Sequence, residues 1–74
     1  MAPEKLTYMA NQIAAFFRSR PHEEAVAGVA DHISKFWEPR MRTQLFEMLE
    51  EPGSDFDLLV IEARDSIRPV DKHD

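Results

Sequence analysis

Apolar residues recur along this chain at the spacing of one helical face, in four stretches set apart by prolines. From Pro3 to about Arg18, the positions Leu6, Met9, Ala10, Ile13, Phe16 and Phe17 follow a helical period. Ser19-Arg20-Pro21 interrupts it, and from His22 to about Trp37 the pattern resumes with Val26, Val29, Ala30, Ile33, Phe36 and Trp37. The two stripes are offset by twenty residues and carry Ala, Ile and Phe at matched positions. Three identities are too few to require a duplication, and convergent amphipathic patterning explains them more simply. Either origin predicts an antiparallel hairpin with the aromatic pairs Phe16-Phe17 and Phe36-Trp37 in the shared core.

A third helix is predicted from Pro39 to about Glu51, with Met41, Leu45, Met48 and Leu49 on one face and Phe46 on its flank. Pro52-Gly53 stops it. Ser54 then reads as an N-cap, with Asp55 and Asp57 in the first turn of a fourth helix reaching about Ile67. Phe56, Leu59, Val60, Ala63 and Ile67 form one stripe of that helix, while Leu58 and Ile61 lie on a second. A helix apolar on two faces is either sandwiched or turns one face to a partner. A chain of 74 residues has little with which to sandwich it, so Leu58 and Ile61 point to a partner, or to a homodimer of the isolated chain. Arg68-Pro69 should fray, and residues 69–74 should form a flexible tail.

Composition agrees with helix. Glycines number two, and Ala, Glu, Leu, Met, Arg and Phe outweigh the β-branched residues. The expected fold is all-α, a single domain over 1–74: a small helical bundle with a three-helix core and an additional C-terminal helix. A net charge of −5, with no basic stripe, argues against a nucleic-acid binder and leaves a small helical DNA-binding regulator as a remote alternative. There is no cysteine, hence no disulfide and no thiolate for a metal or iron–sulfur cluster. No apolar run approaches the ~18–20 residues of a membrane span, and none at the start resembles a signal peptide, so no membrane contact and a cytoplasmic location are expected.

Candidates for catalysis are few. His22, His32 and His73 have no second His, Asp or Glu at the spacing that would set several ligands on one helical face. No nucleophile elbow or glycine-rich phosphate loop is present, and the pairs Glu23-Glu24 and Glu50-Glu51 read as solvated helix ends. Four short helices hardly enclose a water-excluding pocket. The chain is not expected to be an enzyme, and no cofactor or metal is expected in it.

Candidates for binding are better. In "FWEPRMR", Phe36 to Arg42, Pro39 should open the third helix, which sets Arg40 and Arg42 in a first turn where the macrodipole disfavours cations. Either Glu38 or Glu47 pairs with them, or a partner supplies the negative groups. Two guanidiniums flanking Met41 beside Trp37 have the composition of an interface hot spot. Ala25, Gly28 and His32 line one helical strip, and a mid-helix glycine implies close backbone approach. The approaching group belongs either to the hairpin itself or to another chain. The outer face of the first helix carries Thr7, Tyr8, Asn11, Ala15 and Arg18, unusually uncharged for a solvated surface.

Three segments carry a family resemblance: "MANQIAAFF" (Met9–Phe17), "GVADHISKFW" (Gly28–Trp37) and "PRMR" (Pro39–Arg42). Their order resembles the delta subunit of cytosolic, NAD-dependent, molybdenum- or tungsten-containing formate dehydrogenases, over about residues 5–49. No fold requirement dictates Asn-Gln in the first helix together with His32, Trp37 and that arginine turn. From Pro52 onward no motif supports the resemblance. It implies a non-catalytic accessory subunit that docks on the catalytic alpha subunit and supports assembly or stability of the complex, with the beta and gamma subunits as further partners. It also implies that bis-molybdopterin guanine dinucleotide, iron–sulfur clusters and FMN reside in those partners. A transient chaperone of the alpha subunit during cofactor insertion is the alternative. On this reading the partner-binding candidates are Tyr8, Asn11, Ala15, Gly28, His32, Trp37, Arg40, Met41, Arg42, Leu58 and Ile61.

Overall fold

A computed structural model describes residues 1–70, with helices α1 (Pro3–Phe17), α2 (His22–Phe36), α3 (Pro39–Leu49) and α4 (Leu58–Ala63), the last running into a 3-10 turn over Arg64–Ser66. Among the described residues there is no strand, so the all-α expectation holds. Prolines set the helix starts. Pro3 and Pro39 occupy first-turn positions, where the missing N–H costs nothing, and Pro21 is the extended residue before α2. Glu23 and Glu24 at the start of α2 and Lys35 at its end follow the helix dipole. Gly53, at φ 77°, provides the left-handed residue that turns the chain after α3.

The core forms where α1, α2 and α4 meet. Leu6, Ala10 and Ala14 on α1 are fully buried against a surface that includes Ala25, Val29 and Ile33 of α2 and Val60 and Ala63 of α4. The additional C-terminal helix is thus short but central: α4 packs chiefly on α2, and α3 lies at the flank, mainly against α1.

The hairpin seam differs from the expected one. Phe16 and Phe36 are not in it; they are 70% and 72% exposed. Besides Leu6, Val29 and Ile33, the residues in the seam are small. Ala10, Ala14, Ala25 and Gly28 bring the helices close, and a phenyl ring fits only at the edge. Gly28 marks a point of close approach, where a Cβ would stand 2.5 Å from Cε1 of Phe17. The close approach anticipated at Gly28 is therefore made within the hairpin, by Phe17. That ring meets Phe16 edge-on at 5.1 Å and lies 5.5 Å under the Arg20 guanidinium.

α4 also begins later than expected. Its N-cap is Asp57, whose Oδ1 accepts from the Leu59 N–H at 2.9 Å, in place of Ser54. The preceding residues stay out of the helix because Asn11 binds them: its Nδ2 donates to the Asp55 carbonyl at 3.0 Å, and its Oδ1 accepts from the Asp57 N–H at 2.7 Å. Arg18 adds an ion pair to Asp57. Held in this way, Phe56 reaches the core, where it is 7% exposed.

Beyond Ile67, Arg68 is bonded rather than frayed. Its N–H donates to Ser34 Oγ at 2.8 Å, and its carbonyl accepts from Arg42 Nη1 at 2.6 Å. The rest of the anticipated tail, from Asp71 to Asp74, lies outside the described residues.

Candidate docking surfaces

The hydrogen bonds and burial just described remove several candidates from the surface. Trp37 is 6% exposed and belongs to the core, because the chain leaves α2 in an extended conformation that turns the indole inward. Arg42 is 8% exposed, and its guanidinium is directed at the Arg68 carbonyl. Neither Arg40 nor Arg42 forms an ion pair among the described residues, so pairing with Glu38 or Glu47 is not the answer to their position. Arg42 is answered by a main-chain carbonyl 26 residues away, and Arg40 stays in solvent. Met41 is half-buried, packed against the core. Asn11 and Arg18 are taken up by the 55–57 segment, which covers part of the uncharged face of α1 and leaves Tyr8 and Ala15 exposed.

What remains outside is apolar. Between α1 and α2 runs an open groove of about 540 Å³ lined by Gln12, Ile13, Phe16, His32 and Phe36. His32 lies against Phe36, with ring centroids 4.8 Å apart, so its imidazole contributes a flat side to the groove. Gln12 donates to the Tyr8 hydroxyl at 2.6 Å, which holds its amide along α1. Tyr8, 64% exposed, and Ala15 continue the surface along the same helix. Among the described residues, no Asp, Glu, Lys or Arg lines the groove. Such an arrangement offers apolar and aromatic contact area with a few polar atoms at its edge, which is the composition of a protein-binding groove.

A second patch lies on α4. Leu58 and Ile61 are 64% and 43% exposed, on the face turned away from Leu59, Val60 and Ala63. The two-faced pattern of this helix thus corresponds to one buried and one open face. Beside the patch, His22 Nε2 and Glu62 Oε1 meet at 3.0 Å.

Sequence reasoning placed Phe16 and Phe36 in the core and so passed over the groove. The signal that separates them was present: adjacent residues on a helix diverge by about 100°, so Phe16 and Phe17 cannot share one seam. The small residues at Ala10, Ala14 and Gly28 show which of the two is inside. Among the described residues no group of three or more His, Asp or Glu side chains is arranged to hold a metal ion. No helix is long and apolar enough to cross a membrane, again among the described residues.

Fold and surface together define a class, the small helical module that turns bulky apolar side chains outward. Within it the chain matches the family model of the NADH-dependent formate dehydrogenase delta subunit FdsD over residues 5–64, and it belongs to that family. The match continues past the 5–49 region of the resemblance and includes α4. As a subunit of a formate dehydrogenase complex, the chain has the complex's other subunits as partners. No curated protein and no solved structure matches it.

Proposed function

We propose that this delta subunit is a non-catalytic accessory subunit that docks on the catalytic, molybdopterin-bearing alpha subunit through the Phe16–Phe36 groove. By docking it supports assembly or stability of the complex. The observation that carries the reading is the exposure of Phe16 and Phe36, at 70% and 72%, on a fold whose own core leaves both rings outside. Two phenylalanines held in water have a large apolar area to bury, worth about 25 cal/mol per Å² when another surface covers it. Family membership supplies the subunits that can cover it. In this reading bis-molybdopterin guanine dinucleotide, iron–sulfur clusters and FMN belong to the partners, since a chain without cysteine has no thiolate to offer a cluster.

The test is a pull-down of the catalytic subunit by full-length chain carrying Phe16→Ser and Phe36→Ser. The double variant should melt like wild type and lose at least ~30-fold in affinity, the loss expected of hot-spot aromatics. Retained binding by the folded variant would reject the groove as the docking surface. Stoichiometric presence in active, purified enzyme separates a resident subunit from a chaperone that leaves.

A further inference from the structure

The peptide groups of one residue tie three parts of the molecule together. Arg68 follows the 3-10 turn after α4; its N–H is held by Ser34 on α2 and its carbonyl by Arg42 on α3. Ile67 before it is 3% exposed, and Val70 after it lies beside Pro39, Thr43 and Glu47 on the outer side of α3. Residues 67–70 therefore cross the bundle as a strap.

The helix under the strap has fewer buried residues than α1 or α2, and its Met41, Phe46, Met48 and Leu49 are only half-buried against the core. α3 buries only Arg42 and Leu45, whereas α1 buries three apolar residues and α2 four. One of the two is a cation with no carboxylate partner among the described residues, and its Nε is buried without any hydrogen-bond partner. A desolvated donor left idle weakens the closed arrangement, and opening would return it to water. The other polar ties of α3 are peripheral: an exposed ion pair from Glu50 to Arg64 at 3.1 Å, and a bond from Gln44 to the Met1 carbonyl at 2.8 Å. Trp37 and Glu38, between α2 and α3, are both extended, with ψ 135° and 154°. Rotation there moves α3 without breaking a turn of either helix.

We propose that α3 and the Ile67–Val70 strap form a latch that opens as one unit about Trp37-Glu38-Pro39 while the α1–α2–α4 core stays folded. Opening uncovers Leu45 and returns the idle Arg42 Nε to water. The latch is independent of the docking role of the Phe16–Phe36 groove, which lies on α1 and α2.

Amide hydrogen exchange followed by NMR on the full chain tests it. Amides of Thr43–Leu49 should exchange through an opening about tenfold or more as frequent as the one that exposes Ala10–Ala14 and Val29–Ile33. Ser34→Ala, which removes the acceptor for the Arg68 N–H, should speed exchange several-fold further in α3 and the strap. Val29→Ala, which weakens a contact that stays intact when the latch opens, should speed exchange in α1 and α2 and leave the α3 amides unchanged. The latch is wrong if wild-type α3 exchanges through the same opening as α1 and α2. It is equally wrong if Ser34→Ala leaves α3 exchange at the wild-type rate, or if Val29→Ala accelerates α3 as much as α1 and α2.

Discussion

Replacing Gly28 with alanine should reverse its effect according to what stands opposite. In an ordinary helix interior the change stabilises by about 0.5–1 kcal/mol, because alanine loses less backbone freedom on folding. Here the new methyl would stand 2.5 Å from Cε1, 2.6 Å from Cδ1 and 3.0 Å from Cζ of Phe17, all well inside van der Waals contact. The ring cannot retreat freely, with Phe16 edge-on to it and Arg20 above. Overpacking of this kind costs about 1–3 kcal/mol. The net effect of Gly28→Ala in the wild-type chain is then destabilising by about 1 kcal/mol, or about 4–8 °C in Tm for a domain of this size. With Phe17→Ala already in place the clash is gone, and Gly28→Ala should stabilise by up to about 1 kcal/mol. Urea melts of the four chains in that cycle give the coupling directly, with an expected value of about 1–3 kcal/mol. Should Gly28→Ala raise stability equally in both backgrounds, the helices are not held as closely as the seam of small residues requires.

The hairpin offers a second contrast: Phe16→Ala and Phe36→Ala should leave Tm within a few degrees of wild type, while Ile33→Ala should cost about 2–5 kcal/mol in the same thermal melts. Asn11→Ala removes both bonds that hold the Asp55–Asp57 segment and should cost about 1–3 kcal/mol in urea unfolding, with Phe56 released from the core. The two arginines should separate. Arg40→Glu puts the preferred sign at an exposed first-turn position and should raise Tm slightly, whereas Arg42→Glu buries a carboxylate against the Arg68 carbonyl and should lower it steeply.

Local signals carried the element order. The starts of α1, α2 and α3 were visible in prolines, and the break at Pro52-Gly53 in a residue that adopts positive φ. Partners distant in sequence were not visible. Nothing near Asn11 indicates that it will bind residues 44 and 46 positions away, or that the binding will delay α4 to Asp57. Arg42 next to Met41 reads as surface, because the strap that covers it comes 26 residues later. The groove was missed for a subtler reason. Hydrophobic periodicity gives the width of an apolar stripe and not its centre, and the stripe of α1 is wide enough to leave Phe16 outside once Ala10 and Ala14 set the seam. Leu58 and Ile61 were legible as a second face, since no burial of their neighbours could include them.

Photo-crosslinking within the assembled complex decides whether Phe36 meets the catalytic subunit. A photoreactive phenylalanine at position 36 of the full chain, reconstituted with its formate dehydrogenase subunits, should yield an adduct with the catalytic alpha subunit. The same group at Glu23, on the exposed start of α2, should yield none. If position 36 gives no adduct with the alpha subunit while position 58 or 61 does, the chain docks through α4, and the aromatic groove is not its binding surface.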